Sequence, residues 1–263
     1  MKPLLTIVLP FFNEEGWIGR TIDSLAAQND DRFLLLLIDN GSTDNSRAEA
    51  VAHISRIGEK ARILTCATPG KIHALSAGLA EVDTPLIATC DADTIYPPDY
   101  IRRIIKLFGD DESAAAVMAI DLYAPVEDVR SRGRVAFIMR KARRFAKKCH
   151  AGGYAQAFRT AALRAGGGFD AGRWPYVLED HEIVHRVSPY GKLVYHSDHI
   201  CFPSDRRVSR DKVSWSRIER LLYRYLPDGA LNWYFYRFLG RRLAARNSMG
   251  VALREKDWAS PSA

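Results

Sequence analysis

Cysteine is scarce and unpatterned in this sequence. Cys66, Cys90, Cys149 and Cys201 are widely separated and show no C-x-x-C spacing. Neither a disulfide framework nor a zinc site is expected, and free thiols in a reducing compartment are. Long apolar runs are missing too: stretches such as residues 33–38 are far too short to cross a bilayer, so no transmembrane helix is expected. Met1-Lys2-Pro3-Leu4 runs straight into a strand-like segment, without the apolar core and small-residue cleavage site of a signal peptide. A cytoplasmic location is the expectation. The sequence holds no internal repeat and no low-complexity linker. Nor does a G-x-G-x-x-G follow the first strand-like run, where a dinucleotide-binding protein would use it to bring backbone against pyrophosphate. Asn13-Glu14-Glu15 stand there instead, which argues against a Rossmann dehydrogenase.

Positive charge is in excess: 38 basic residues against 31 acidic ones give a net +7, which points to anionic partners. Its placement is more informative than its size. Residues 130–148 hold nine bases and no acid, a second basic stretch spans 206–246, and the first hundred or so residues are nearly balanced. The 130–148 stretch interleaves its cations with Val135, Phe137, Ile138, Met139 and Phe145. The tail mixes arginines with Trp215, Leu221, Leu222, Tyr225, Trp233, Phe235 and Phe238. On helices, this composition suits peripheral contact with an anionic membrane surface at its cytoplasmic face, and equally suits packing on a core.

The first half alternates between strand and helix patterns. Strands are expected near 4–11, 33–38, 62–65 and 86–90, and helices at 17–28, 46–57, 71–80 and 98–108. Continuous apolar strands separated by helices argue for an α/β fold with a mostly parallel central sheet covered on both faces. In such sheets ligands bind beyond the carboxyl ends of the strands. The second half is less regular, with strands expected at 115–122, 154–158 and 192–195 and helices at 133–148 and 179–187. The expected division is one globular domain over 1–205, with halves of about 1–110 and 111–205, and a basic, aromatic-rich helical extension over 206–263.

Polar residues concentrate just after the strands. Asp91-Ala92-Asp93 leaves the fourth strand, and two carboxylates one residue apart can converge on a hard cation that also bridges diphosphate oxygens. An Asx-capped turn before Pro97-Pro98 would use the same residues. Asp39 ends the second strand, where a carboxylate can accept hydrogen bonds from a base or ribose. Lys71 opens a helix after Gly70, a position suited to an anion. Glu179-Asp180-His181-Glu182 begins another helix, where acids complement the dipole and one facing a cleft would serve as a general base.

Taken in order, six segments resemble the family 2 glycosyltransferases. They are Ile7-Val8-Leu9-Pro10-Phe11-Phe12-Asn13-Glu14, Ile38-Asp39-Asn40-Gly41-Ser42-Thr43-Asp44, and Gly70-Lys71 leading to Ala74-Leu75-Ser76-Ala77-Gly78-Leu79. Cys90-Asp91-Ala92-Asp93, Gly152-Gly153-Tyr154 with Phe158-Arg159, and Leu178-Glu179-Asp180 complete the set. The resemblance implies a GT-A fold and an inverting, metal-dependent hexosyl transfer from a nucleotide-sugar, UDP-sugar favoured, to an acceptor hydroxyl on a lipid-linked or anionic glycan. It implies that Pro10, Glu14 and Asp39 line the donor pocket, and that Lys71 lies near the diphosphate. Asp91 and Asp93 would hold Mn²⁺ or Mg²⁺ and the nucleotide, and Asp180 would be the base. Arg206 and Arg207 are placed to close over the diphosphate, and His196 and His199 are further candidates for a metal ligand. Asn40 departs from the second acid usual in the family, and Ser76 from its usual Asn. The Gln-x-x-Arg-Trp signature of processive synthases is not evident, so a single transfer is expected.

Two rival classes are weighed against this. A nucleotidyltransferase on a related fold would want a glycine-rich, basic phosphate loop where Asn13-Glu14-Glu15 stands. A non-catalytic membrane-surface or nucleic-acid-binding protein would use the basic stretches, but leaves carboxylates at three strand or helix termini unexplained. No nucleic-acid partner is expected.

Overall fold

A computed structural model describes residues 2–204 and 215–251. Its frame is one eight-stranded sheet. The strands are β1 (Leu5–Phe11), β2 (Phe33–Asp39), β3 (Ala61–Thr65), β4 (Leu86–Thr89), β5 (Thr94–Ile95), β6 (Ala114–Asp121), β7 (Gln156–Arg159) and β8 (Lys192–Pro203). Their spatial order is β3-β2-β1-β4-β7-β6-β8-β5. β1 to β4 run parallel, β7 lies antiparallel between β4 and β6, and β8 runs parallel to β6. β1, β2, β4 and β6 are buried along nearly their whole length, as strands covered on both faces require, whereas the outer strands β3 and β8 are partly exposed.

The helices are α1 (Ile18–Ala26), α2 (Ser46–Ile54), α3 (Lys71–Ala80), α4 (Tyr100–Asp110), α5 (Val129–Arg144), α6 (Thr160–Ala165), α7 (Glu179–Val187) and α8 (Arg217–Tyr225). The π-helical turn Tyr234–Leu239 and the helix Gly240–Ala245 follow. The expected helices at 71–80 and 179–187 match α3 and α7 end to end. α5 begins four residues before the expected 133 because Asp128 caps it, its carboxylate accepting the Arg130 N–H at 2.7 Å. α2 stops at Ile54: its buried residues are Ser46 and Ala50, and Val51 faces outward. β8 extends well past 195 because its pairing with β6 skips residues after Tyr195 and resumes at Ile200. The short α6 is not foreshadowed by any periodicity. α3 packs so closely on β1 that a Cβ at Gly78 would stand 2.4 Å from Val8 Cγ1, so only glycine fits there.

The described part of the tail folds back on the body. Tyr223, Leu231, Tyr234, Phe235, Leu239 and Leu243 share a hydrophobic cluster with Trp174 and Val177. Charge reinforces the joint. Glu182 of α7 is fully buried and takes a two-pronged contact from Arg186 (2.7 and 2.9 Å), while the Tyr236 hydroxyl donates to the same carboxylate. Arg186 also donates to the carbonyls of Gly166 and Gly168. Beyond that joint, Glu219 has no exposed surface and accepts from Arg242 and Arg246. Among the described residues no helix is long and apolar enough to cross a membrane.

Removing one partner of a buried ion pair leaves the other charged and desolvated. Arg186→Met is therefore expected to lower stability by about 3–5 kcal/mol in urea unfolding. A loss below about 1 kcal/mol, the range of an exposed pair, would show that the pair does not behave as a desolvated one.

Candidate active site

Parallel register sets the site. Phe11 pairs with Asp39 and Asp39 with Thr65, so the loops after three neighbouring strands leave from one edge. β4 pairs with β1 up to Val8–Thr89, and continuing that register brings Asp91 level with Pro10. The Val8 carbonyl accepts the Cys90 N–H, so by the two-residue alternation Pro10 turns its nitrogen to that same side, beyond the end of β4. A strand residue without an N–H is tolerated there.

The candidate residues meet at this edge. Asp39 is buried, its carboxylate accepting the Ser42 N–H at 2.9 Å and facing an Arg47 guanidinium at 3.1 Å. Glu14 is buried in the loop after β1, where Ser46 Oγ accepts its backbone N–H at 2.6 Å. Lys71 begins α3, and its ammonium lies 2.5 Å from Asp91 Oδ1. Gly70 before it takes φ 122°, in the region that favours glycine. Asp93 is buried and accepts the Ser204 hydroxyl at 2.9 Å. Asp180 is the second residue of α7. A Cβ placed on Gly153 would lie 3.4 Å from Lys71 Nζ and 3.6 Å from Asp180 Cβ, so Gly153 is the shared boundary between them. The Gly153 carbonyl is held by the Thr89 hydroxyl at 2.5 Å. Gly152 is more tightly constrained, since a Cβ there would run into the Tyr154 ring at 2.4 Å.

Asn40 explains its own departure from the family pattern. Its amide donates to the carbonyls of Cys66 and Thr68, and its oxygen accepts the Gly70 N–H at 2.8 Å. A carboxylate could not make the two donations. Asn40 thereby ties the end of β2 to the turn that presents Lys71. Ser76 lies on the exposed side of α3, away from this edge.

Local electrostatics divide the two acids of α7. Burial alone would raise the Asp180 carboxyl. The adjacent His181, whose Nδ1 lies 2.8 Å from Oδ1, and the more distant Lys71 outweigh burial and hold it below the usual carboxylate range. Burial pushes Glu179 the other way, well above that range, against the pull of Lys71 and with added repulsion from Asp180 and Asp91. Backbone strain marks the same place: among the described residues Leu178 and Asn13 are two of three non-glycine residues with positive φ (67° and 52°), one two residues before Asp180 and the other beside Glu14. A cavity of about 310 Å³ opens beside Lys71 and Glu179, with Tyr176 and Met249 in its wall. A second, of about 410 Å³, opens beside Asp93, lined by Trp17, Arg20, Tyr123 and Phe202.

The structure brings together Pro10, Glu14, Asp39, Lys71, Asp91, Asp93 and Asp180. Arg206 and Arg207 lie outside the described residues. His199 is buried against Tyr100, ring centroids 4.8 Å apart, with neither nitrogen bonded among the described residues. His196 is exposed, its Nδ1 accepting the Asp198 N–H. Neither histidine joins a group of three His, Cys, Asp or Glu side chains, and no such group occurs among the described residues. Sequence reasoning gives His181 no role and passes over Asp121, whereas Glu179 is among the acids it places at the start of α7. Asp121 ends β6, buried and paired with Arg134 of α5, and a carboxylate closing a buried strand was its available signal. Burial pushes the Cys90 thiol beside Asp91 up to about 12, so it stays protonated and inert.

Comparison with known proteins agrees with this architecture. The sequence model of Glycosyl transferase family 2 matches residues 6–167. An undecaprenyl-phosphate 4-deoxy-4-formamido-L-arabinose transferase of Sodalis glossinidius is 31% identical over 41% of this chain and 34% of its own length. A dodecaprenyl-phosphate galacturonate synthase of Rhizobium johnstonii is 33% identical over 39% and 31%. The chain thus spans about a third of the length of these curated relatives. Among solved structures, a mannosyltransferase from Pyrobaculum calidifontis, in complex with GDP-mannose and Mn²⁺, superposes with a TM-score of 0.66 at 18% identity. That match covers 97% of this chain and 74% of the other. The glucosyl-3-phosphoglycerate synthase of Mycobacterium tuberculosis, bound to Mn²⁺, UDP and phosphoglyceric acid, gives 0.58 at 20% identity over 87% and 81%. With the family match covering more than half of its length and its sheet shared with these neighbours, the chain belongs to glycosyl transferase family 2 and has the GT-A fold.

Proposed function

We propose that this protein transfers one hexosyl unit from a nucleotide-sugar, a UDP-sugar in preference, to an acceptor hydroxyl by a single inverting displacement. The observation that carries the proposal is the meeting of Lys71, Asp91 and Asp180 around Gly153 at the carboxyl edge of the sheet. Pro10, Glu14 and Asp39 would line the nucleotide pocket. Asp91 and Asp93 would hold a Mg²⁺ or Mn²⁺ ion through hard carboxylate oxygens. The donor set therefore fits a divalent ion, which when bound neutralises charge growing on the leaving diphosphate. Lys71 adds a fixed positive charge on the same side. Asp180, ionised and oriented by His181, would take the acceptor proton as the oxygen attacks the anomeric carbon from the face opposite the diphosphate.

The polyprenyl-phosphate relatives support a lipid-linked acceptor, and hence work at the cytoplasmic face of a membrane. They also favour a second reading, in which the acceptor oxygen belongs to a phosphate. Such an oxygen is already ionised and needs no base. On either reading, residues 1–205 would carry the transfer and the tail would wall the acceptor side.

Three outcomes test this. Turnover is expected to vanish in EDTA and return with Mn²⁺ or Mg²⁺, and Asp93→Ala is expected to lower kcat/KM about 10²–10³-fold at unchanged thermal stability. Full turnover in EDTA would remove the metal from the scheme. Asp180→Asn is expected to lower kcat about 10²–10⁴-fold on a hydroxyl acceptor while leaving donor affinity nearly intact. Loss confined to donor affinity would reassign Asp180, and a negligible effect with polyprenyl phosphate would favour the phosphate reading. The pH profile follows from His181. With its carboxyl held low, Asp180 stays ionised down to acid pH, and activity falls only as pH drops through that lowered value. Removing the imidazole leaves burial in place, so His181→Ala is expected to move the acid limb of kcat/KM to higher pH. An unmoved limb would mean that another group takes the proton.

A further inference from the structure

Most of the apolar residues that alternate with cations in the sequence face inward. Ile138 is buried, Val135 and Met139 pack beside it, and Trp215, Leu222, Phe235 and Phe238 belong to the tail cluster. A different, smaller set faces outward. On α8, Ile218, Leu221 and Tyr225 are 62%, 53% and 62% exposed, spaced so that they share one face of the helix. The opposite face carries Glu219 and Tyr223, both buried. An amphipathic helix normally turns its apolar face to the core; α8 has apolar residues on both faces and leaves one of them open.

α5 continues this open face. Phe145, just after α5, meets Tyr225 edge-on at 5.9 Å, and Phe137, exposed, lies under Lys141 and Arg140 at 5.1 and 5.7 Å. Cations surround these residues. Arg217, Arg220 and Arg224 come from α8, and Arg140, Lys141 and Arg144 from α5. Among the described residues none of the six has an ion-pair partner. Burial first, then the nearby Arg224, Arg134 and Arg220, draw the Lys141 ammonium below its ordinary value. Elsewhere the bases are used internally, as Arg134 with Asp121, Arg186 with Glu182, and Arg242 with Glu219.

We propose that the outer face of α8, with the adjoining part of α5, is a docking surface for an anionic phospholipid bilayer. Exposed aliphatic and aromatic side chains among unpaired cations suit the boundary between headgroups and acyl chains. A second copy of this chain fits the face poorly, because a two-fold contact would set the same unpaired cations against each other. A nucleic acid would engage the cations but has no use for Ile218 and Leu221. Docking also has a consequence for the candidate base. Tyr223, on the inner side of α8, lies 5.5 Å from His181, ring to ring, and accepts the Cys149 N–H. Only the thickness of one helix separates Asp180–His181 from the bilayer. This role rests on the reading of a lipid-linked acceptor, whereas the docking surface itself does not.

The test is co-sedimentation of the full chain with equimolar phosphatidylglycerol–phosphatidylcholine vesicles and with phosphatidylcholine alone, at low and high salt, beside UDP affinity and sedimentation velocity. The expected result is binding to the anionic vesicles only, weakened by salt. Leu221→Glu/Tyr225→Glu and Arg217→Gln/Arg220→Gln are each expected to reduce vesicle partitioning by about tenfold or more. All of these positions are largely solvent-exposed, so both variants are expected to keep the UDP affinity and unfolding temperature of the parent. No binding to anionic vesicles by protein that still binds UDP would overturn the proposal. So would undiminished binding by both variants, or a dimer that the variants dissolve. Failure to use a lipid-linked acceptor while vesicle binding persists would instead count against the acceptor reading and leave the docking surface standing.

Discussion

Burying a carboxylate is costly unless a cation or a hydrogen-bond donor compensates it, and this protein buries several at one edge of one sheet. Each compensator comes from a different part of the chain. Asp39 has Ser42 and Arg47, Asp91 has Lys71, Asp93 has Ser204 from the end of β8, and Asp180 has its neighbour His181. The parallel register of β1, β2 and β4 crowds the acids together, and the partners arriving from α2, α3, α7 and β8 keep the crowding tolerable. The same arrangement is chemically useful. On the proposed function, a site already balanced between buried acids and fixed bases would accept a cation together with the negative charge of a diphosphate with little reorganisation.

Two departures from the family pattern behave differently under this constraint. Asn40 needs donor and acceptor capacity at once, because it clamps two carbonyls and the Gly70 amide, and so its difference from an acid has a structural reason at the site. Ser76 is exposed and touches none of it. Similarity of motif therefore carries different weight at each position, and the bonding around the residue decides how much.

The basic character of the chain also divides in space. Some arginines close internal accounts: Arg186 holds the Glu182 carboxylate within the body, and Arg242 and Arg246 hold Glu219 inside the tail. Others, on α5 and α8, have no ion-pair partner among the described residues. The tail thus has an inner side that packs against His181 through Trp215 and Tyr223, at ring separations of 5.0 and 5.5 Å, and an outer side of exposed apolar residues and cations.

Local pattern was enough for much of this protein. Continuous apolar strands with helices between them specify a covered parallel sheet, because such strands can be satisfied only when both faces are buried. The bounds of α3 and α7 were legible because Gly70 and the acids at 179–182 mark helix starts, and Asp39, Asp91 and Asp93 stood out because they sit at or just past the ends of buried strands. Other features depended on contacts between residues far apart in sequence. β8 continues past an exposed polar stretch because β6 lies beside it. Asp121 gains meaning only with Arg134, and His181 only with the Trp215 and Tyr223 rings that pack on it. Which apolar residues among the cations face inward was likewise undecided by spacing, since helical periodicity specifies a face but not what covers it. The sequence alone determined which segments could be strands, helices and carboxylate-bearing turns, because those follow from period and local chemistry. The tertiary structure decided which charges are paired and which apolar face stays open, because pairing and burial depend on neighbours that only the folded chain supplies.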